Sequence, residues 1–275
     1  MSRKFSKFPQ QIPPGPYFFL LSCKFKYRRR LFSLHMVVNR SREAWKTYGN
    51  VFDSYTNRLL QRLSGQGLFE ELETSIALGK EANVFSARNG DEQVAIKIYR
   101  LENCNFNKMF SYIAQDPRYS DLKGDKRRII FAWTQREYRN LLKAREHIRV
   151  PTPIAFKDHI LVTEFIGDEQ AAPQLKDVHL EDPEGFFKEI LEMVALLLHG
   201  AGLVHGDLSQ FNILVHHDEP VFIDFSQGTA KESGDAKKLL RRDLEVLCNY
   251  FARLGAEYDI DLVYDCVTKN TLDKL

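Results

Sequence analysis

Cysteine is scarce in this sequence and is never clustered. The 275 residues include four cysteines, Cys23, Cys104, Cys248 and Cys266, and no two of them form a CxxC pair or another zinc-ligand spacing. Single cysteines spread along a chain are typical of buried thiols in a reducing compartment. We therefore expect a cytoplasmic protein that is neither a disulfide-stabilised scaffold nor a zinc-ligand module.

Long apolar runs are also missing. No segment approaches the length of a membrane span, and the sequence has no internal repeat and no low-complexity tract. The nearest approach to a signal sequence is Tyr17–Cys23, YFFLLSC, but it is short, follows a proline and precedes a basic run. We therefore expect neither export nor contact with a membrane.

Acidic residues are absent from the first 35 positions, which carry eight Lys/Arg and four prolines. Two interpretations stay open for residues 1–35. One is a basic arm that contacts nucleic acid. The other, which we favour, is a leader that is either disordered or not native to the protein, with Met36 as the working start. The remainder carries 31 basic and 37 acidic residues, so the body of the protein is mildly acidic.

With 44% hydrophobic residues, the remaining chain is long enough to bury a sizeable core. Aromatic and aliphatic residues recur every three or four positions from Asn39 to Leu63, and Gly65 follows, which predicts a helix. We assign 36–71 to an N-terminal helical extension that packs on the next domain.

A β-rich segment follows, from Leu72 to Ile98. Asn89-Gly90 is a strong hairpin signal between two of its strands. Gly79 precedes Lys80 and Glu81 in a turn where a glycine lets the backbone approach a phosphate.

Lys97 lies inside the apolar run VAIKI. A lysine in such a strand is costly unless it has an anionic partner, so we interpret Lys97 as functional rather than as a solvated edge residue.

The sequence Leu203–Ser226 carries the strongest chemical signal. Asp207 and Asn212 are five residues apart on one loop, and Asp224 follows a short apolar strand. Phosphoryl transfer needs one carboxylate to accept the proton of the attacking hydroxyl. It also needs oxygen ligands for magnesium, which Asn212 and Asp224 would supply.

Two long helices are predicted in the C-terminal half. Asp182-Pro183 begins an apolar helix that runs to His199 and should be the buried centre of a second lobe. An amphipathic helix spans Leu239 to Leu254, and a last short helix covers Ile260–Val267. An Ala-Pro-Glu motif is absent after Asp224.

Seven motifs in this order resemble the first subfamily of the RIO family of atypical protein kinases: GKEANVF, VAIKIYR, FNKMFSYIAQDPRY, WTQREYRNL, LVTEFIGD, HGDLSQFNILV and IDFSQG. The resemblance implies an α+β, two-lobed protein-kinase-like fold. The β-rich N-lobe would span 72–166 with a flexible insertion at 101–128. The reduced helical C-lobe, 167–275, would lack the activation segment and the peptide platform. One departure is Ala77-Leu78, where the family usually has Ser-Thr.

The resemblance also implies roles for individual residues. Asp207 is the expected base, or the acceptor if a phospho-aspartate forms. It is the expected catalytic residue together with Asp224, while Asn212 and Asp224 are the expected metal ligands. The residues expected to bind the nucleotide are Gly79, Lys80, Glu81, Lys97, Glu137 as the partner of Lys97, and the hinge residues Glu164 and Ile166.

The implied activity is that of a serine kinase or ATPase that uses ATP and Mg²⁺, with Mn²⁺ as an alternative ion. The implied partner is the precursor of the small ribosomal subunit, with its rRNA and proteins, and we expect a monomer. Autophosphorylation would fall on Ser111 or Ser120. The alternatives are a small-molecule phosphotransferase of the aminoglycoside or sugar-kinase kind and a non-catalytic, nucleotide-gated assembly module.

Overall fold

The computed structural model describes residues 52–102, 104–114, 122 and 125–275. All of them belong to one compact unit. The expectations for residues 1–35 and for Ser120 lie outside the described residues. Among the helices that are described, none combines the length and apolar character needed to cross a membrane.

The first described helix is α1 (Ser54–Gly65). The side chain of Asp53 accepts a hydrogen bond from the N–H of Thr56 at 2.7 Å and so caps the helix. The prediction of a helix from Asn39 to Leu63 is therefore wrong at residues 52 and 53, because Asp53 caps a helix that begins at Ser54. The predicted end at Gly65 is confirmed.

The first lobe is built on a five-stranded antiparallel sheet in the order β1-β2-β3-β5-β4. Its strands are β1 (Glu71–Leu78), β2 (Ala82–Asn89), β3 (Glu92–Tyr99), β4 (Pro153–Lys157) and β5 (Ile160–Glu164). The predicted hairpin turn is confirmed, since Asn89 pairs with Glu92 and Gly90 takes the left-handed conformation with φ 66°. Leucines of α1 pack on this sheet and close a separate apolar core.

The insertion after β3 contains a helix, α2 (Phe106–Ile113). Met109 and Ile113 are buried on one side of it, where they pack with Trp133. The insertion was predicted to be flexible, whereas these residues form a helix that contributes two core side chains.

The sequence predicts a helix over Ile129–His147, and the helix that the structure shows there, α3 (Lys126–Ala144), begins three residues earlier. The cause is a capping bond, in which the side chain of Asp125 accepts from the N–H of Arg128 at 3.0 Å.

The second lobe is organised around α4 (Pro183–His199). Asp182 caps it and Gly200 follows it, as predicted. Its apolar face meets α5 (Ala236–Ala252), where Phe187 and Phe251 stack with ring centroids 4.5 Å apart. The last helix, α6 (Ile260–Lys269), confirms the predicted short helix and extends it by two residues.

Two short ribbons position the polar loops of this lobe. Strands β7 (Ile213–His216) and β8 (Glu219–Phe222) form a hairpin, and β6 (Leu203–Val204) pairs with β9 (Thr229–Ala230). Residues 225–235 are all that separates Asp224 from α5. The expected absence of a long activation segment is thus confirmed.

Candidate active site

Lys97 joins the two lobes at the centre of the site. Its Nζ lies 2.8 Å from Oε1 of Glu137 on α3 and 3.0 Å from Oδ1 of Asp224. The hydroxyl of Tyr99 donates to the other carboxylate oxygen of Glu137. The structure therefore brings together three of the residues selected from the sequence, and it supplies the anionic partners that the buried lysine requires.

The charges in this group hold one another ionised. Burial alone would raise the pKa of the Asp224 carboxyl, but Lys97 and the Ser226 hydroxyl outweigh it and lower the pKa to about 2. Burial alone would lower the pKa of Lys97, but Asp224 and Glu137 raise it above the ordinary lysine value. Asp224 is therefore a fixed anion and Lys97 a fixed cation near neutral pH.

Helix α3 also holds the segment that follows Asp224. The side-chain amide of Asn140 donates to the carbonyls of Phe225 and Gly228, each at 2.9 Å. Arg136 donates to the carbonyl of Gly228 at 2.8 Å. These bonds fix the position of Asp224 from the first lobe, without a contribution from an activation segment.

Asp207 lies in a more open environment. Its side chain is 47% exposed, and its Oδ2 accepts a hydrogen bond from the side-chain amide of Gln227 at 2.8 Å. The nearest nitrogen of Arg242 is 3.8 Å from Oδ1, which is too far for a hydrogen bond. Oδ1 therefore remains the open oxygen of this carboxylate.

The loop that carries Asp207 is anchored from below by α5. The buried carboxylate of Asp243 accepts from the N–H of Gly206 at 2.7 Å, and Arg242 donates to the Gly206 carbonyl. Burial raises the pKa of Asp243 to about 7. Gly206 has φ 78°, and a Cβ there would lie 2.9 Å from the carbonyl oxygen of Gln227, so only glycine fits.

Asn212 is positioned by its own amide group. Its Nδ2 donates to the main-chain carbonyl of Asp207 at 2.8 Å, which leaves its Oδ1 for a ligand. The N–H of Ile223 donates to the carbonyl of Asn212 at 3.0 Å. Asn212 and Asp224 therefore flank the open end of the β7–β8 hairpin, one before β7 and the other after β8.

The turn between β1 and β2 contains the three predicted phosphate-loop residues. The N–H of Gly79 donates to the carbonyl of Ala82 at 2.9 Å, and a Cβ at Gly79 would lie 2.8 Å from that oxygen. Lys80 is exposed, and Glu81 is half-buried. Burial raises the pKa of Glu81, whose carboxyl is near enough to Lys97 and Asp224 to respond to their charges.

The segment after β5 has the connections expected of a hinge. The side chain of Glu164 accepts from the N–H of Thr152 at 3.0 Å, so this carboxylate is a structural group. The hydroxyl of Thr163 donates to the carbonyl of Glu164 at 3.2 Å. The carbonyl of Ile166 accepts from the N–H of Ala172 at 2.9 Å. The main-chain group of Ile166 that could bond a nucleobase is therefore its N–H.

A family model described as RIO domain matches residues 83–263. The chain belongs to the RIO family. Curated archaeal relatives named RIO-type serine/threonine-protein kinase Rio1 are similar over most of their length. The protein from Haloferax volcanii is 38% identical over 229 residues, which cover 82% of this chain and 79% of the relative. The protein from Methanocaldococcus jannaschii is 41% identical over 235 residues, which cover 85% and 81%. These matches confirm the predicted serine/threonine kinase.

The fold of a second RIO protein agrees. The structure of the Rio2 kinase-ADP/Mg²⁺-phosphoaspartate complex from Chaetomium thermophilum matches with a TM-score of 0.60 at 19% identity, over 80% of this chain and 73% of that chain. This likeness confirms the predicted two-lobed protein-kinase-like fold.

The ring of His205 is buried between the loop of Asp207 and the strand end before Asp224. Its Nε2 donates to the carbonyl of Ile223 at 2.9 Å, and burial lowers its pKa, so the ring stays neutral. The ring therefore links the catalytic loop to the strand end before Asp224.

Several residues around this site were not predicted from the sequence. They are Tyr99, Ser226, Gln227, Arg242 and Asp243. Ser226 and Gln227 belong to the motif IDFSQG, so the motif marked their position without indicating their partners. Tyr99 follows Lys97 by two positions, which places it on the same face of β3 and was an available signal.

Proposed function

We propose that this RIO kinase uses ATP and magnesium to phosphorylate a serine or to hydrolyse ATP, in the cytoplasm, during maturation of the small ribosomal subunit. One observation carries the chemical part of the proposal. Lys97 is held by Glu137 and Asp224, while Asp207 keeps an open carboxylate oxygen. Phosphoryl transfer requires such a fixed cation, a fixed metal carboxylate and a separate base.

The residues present fit a nucleotide. The N–H of Ile166 and the carbonyl of Glu164 offer one donor and one acceptor to an adenine edge. Gly79 gives the backbone room to approach phosphates, since any larger residue would displace the turn. Lys97 on β3 would pair with phosphate oxygens, and Lys80, on the turn that carries Gly79, would be a second cation for them.

The donor set also fits a hard cation. Asn212 and Asp224 present amide and carboxylate oxygens, which Mg²⁺ prefers, and Mn²⁺ accepts the same ligands. When bound, the ion neutralises phosphate charge. Asp224 stays ionised for this role because its pKa is lowered to about 2.

Asp207 would act as the base. Gln227 fixes the carboxylate through Oδ2, so Oδ1 is directed to accept a proton from an attacking serine hydroxyl or water. The Gly206 anchors on α5 hold the loop while this proton moves.

The nature of the acceptor rests on the family resemblance and on what the second lobe lacks. Because residues 225–235 hold no peptide platform, we expect a large assembly, the precursor small subunit with its rRNA and proteins, to bring the acceptor to the site. For autophosphorylation, Ser111 is exposed on α2 and is therefore accessible. Ser120 remains the other candidate.

The test is Asp207→Asn, which keeps the size of the side chain and removes the base. Turnover of ATP should fall by about 10²–10⁴-fold while nucleotide affinity stays at the wild-type value. On precursor small subunits in ATP, the variant should remain bound where wild type dissociates. Phosphate release, labelled protein and subunit association are measured in parallel.

Asp265→Asn is the matched control, since Asp265 is exposed on α6 and pairs only with Lys269 among the described residues. Wild-type turnover by Asp207→Asn would show that the base has been misassigned. Transfer to a soluble aminoglycoside or sugar, without association with subunits, would replace the proposal with the small-molecule kinase.

A further inference from the structure

Three metal-binding side chains meet outside the catalytic site. Asp168 follows the hinge by two residues, and His216 and His217 lie at the tip of the β7–β8 hairpin. Their ligand atoms all lie within 4.8 Å of one another. Within the described part of the chain, no other group of three or more His, Cys, Asp or Glu side chains meets that condition.

The spacing of the ligand atoms matches a tetrahedral ion. Oδ1 of Asp168 lies 3.6 Å from Nε2 of His216, and Oδ2 lies 3.3 Å from Nε2 of His217. Bonds of about 2.0–2.2 Å from zinc to nitrogen and oxygen separate neighbouring tetrahedral ligands by about 3.3–3.5 Å. Each histidine nitrogen therefore lies close to a tetrahedral ligand spacing from one oxygen of Asp168, and one ligand atom from each of the three residues lies within 4.8 Å of the others.

The hairpin turn places both imidazoles on one side. Successive residues of a strand point to opposite faces, yet the rings of His216 and His217 stack with centroids 3.9 Å apart. The reason is the left-handed conformation of His217 and Asp218, with φ 54° and 61°. Positive φ at both central residues is what a two-residue hairpin turn of type I′ requires, and histidine and aspartate adopt it more readily than most residues.

One ring nitrogen of this group lacks a hydrogen-bond partner in the part of the chain that the structure describes. Nε2 of His216 is buried, and no hydrogen-bond partner for it is found among the described residues. The side chain of His216 is 14% exposed, so water does not readily supply that partner. A buried polar atom without a partner is costly, and a cation could bind at this point once the ring hydrogen has moved from Nε2 to Nδ1.

We propose that Asp168, His216 and His217 form a binding site for a zinc-class divalent cation, with water in the fourth position. Imidazole nitrogens suit Zn²⁺, Ni²⁺ and Cu²⁺ rather than Mg²⁺, so the site differs in selectivity from Asn212 and Asp224. A bound ion links the hinge exit to the hairpin that carries those two residues.

Arg149 opposes this ion and provides a sensitive test. Its Nη2 lies 3.2 Å from Nδ1 of His216, which acts as the acceptor. When Nε2 of His216 binds a metal, Nδ1 carries the hydrogen and no longer accepts, so Arg149 must turn into solvent. Removing its charge should therefore strengthen metal binding.

The experiment titrates Zn²⁺ into the untagged full-length chain with millimolar Mg²⁺ present, and follows binding by calorimetry and by melting temperature. In the cobalt-substituted protein, the visible absorption spectrum reports which types of ligand bind the ion. We expect one zinc-selective site and a rise in melting temperature. His216→Ala, His217→Ala and Asp168→Asn should each lower zinc affinity by about tenfold or more, since even outer-shell losses cost about 10–100-fold. Arg149→Gln should raise it.

His179→Ala and Cys104→Ser are the controls, because His179 is exposed elsewhere on the second lobe and Cys104 is a partly exposed thiol. Both should bind zinc as wild type does. Equal zinc affinity in wild type and His216→Ala, with unchanged melting temperature in the absence of metal, would overturn the site. Loss of binding in Cys104→Ser would place the metal on the thiol and would also overturn it.

Discussion

The regions around Asp224 and Asp207 are built in opposite ways. Asp224 contacts Lys97 and Ser226, and its segment is tied to α3 by Asn140. Asp207 has one side-chain hydrogen bond, from Gln227, and its other oxygen faces outward.

The difference supports the separate roles that we expect for the two carboxylates, Asp207 as the base and Asp224 as a metal ligand. A carboxylate held ionised by a cation is a poor proton acceptor, because its pKa is lowered to about 2. Such a group suits metal binding. The open carboxylate of Asp207 suits proton transfer, because an incoming hydroxyl can reach it.

The largest expected effect comes from removing each carboxylate in turn and comparing nucleotide affinity with turnover. Asp224→Ala should lower the affinity for magnesium-nucleotide by about 100-fold or more, since loss of an outer partner of a metal ligand already costs about 10–100-fold. Asp207→Ala should leave that affinity near wild type and reduce turnover instead. Fluorescent-nucleotide titration with and without Mg²⁺ measures the first effect. Equal affinity in wild type and Asp224→Ala would remove the distinction.

Gln227→Leu tests how far Asp207 depends on its single anchor. Turnover should fall about tenfold, because a hydrogen bond to a charged group is worth about 1.5–3 kcal/mol. Nucleotide affinity and melting temperature should stay unchanged, which separates positioning from general damage. Gln210→Leu, on the same loop as Asp207, is the control. A fall in affinity rather than in turnover would show that Gln227 supports the nucleotide and not the base.

The pH dependence of stability distinguishes Asp224 of the site from His159 of the first lobe. Asp224 titrates near pH 2, so losses of stability at mildly acidic pH arise elsewhere. Burial lowers the pKa of His159 to about 4 from the ordinary 6.5, and Thr56 lies 2.9 Å from its Nε2. In that window protons bind the unfolded chain preferentially, so the free energy of unfolding falls as pH drops from 6.5 towards 4.

The slope from His159 should approach about 1.4 kcal/mol per pH unit. His159→Gln should remove this component of the slope whatever its absolute stability, and His179→Gln, at an exposed position, should retain it. Urea midpoints between pH 4 and 7 measure both. An unchanged slope in His159→Gln would assign the titration to another group.

The smallest expected effect concerns the phosphate turn, where Leu78 is 69% exposed. Leu78→Thr restores the hydroxyl that this family usually has and should raise nucleotide affinity about two- to threefold, the value of a weak neutral hydrogen bond. Leu78→Val keeps the branched shape without the hydroxyl and should have no effect. Equal gains in the two variants would trace the change to the strand rather than to a phosphate contact.

Much of the candidate site was predictable, because sequence motifs specify residues that act together. Lys97, Glu137, Asn212 and Asp224 were selected from the sequence, and the structure brings Glu137 and Asp224 to Lys97. The paired ends of α4 were predicted because capping is local to the chain.

The remaining parts depend on contacts between distant segments. Asp243 reaches Gly206 across 37 positions, and no local pattern encodes that bond. Helix α2 was missed because eight residues give only two turns of periodicity, and its burial depends on packing against Trp133.

The β7–β8 hairpin also limits how this chain can tolerate insertions and deletions. Its four paired positions run from Ile213–Phe222 to His216–Glu219. Asn212 and Asp224, the candidate magnesium ligands, lie just beyond its open end. Losing one residue from either strand would reverse the faces of every side chain beyond that point and separate Asn212 from Asp224. Substitutions in this hairpin cost packing, whereas a change of length by one residue removes the site.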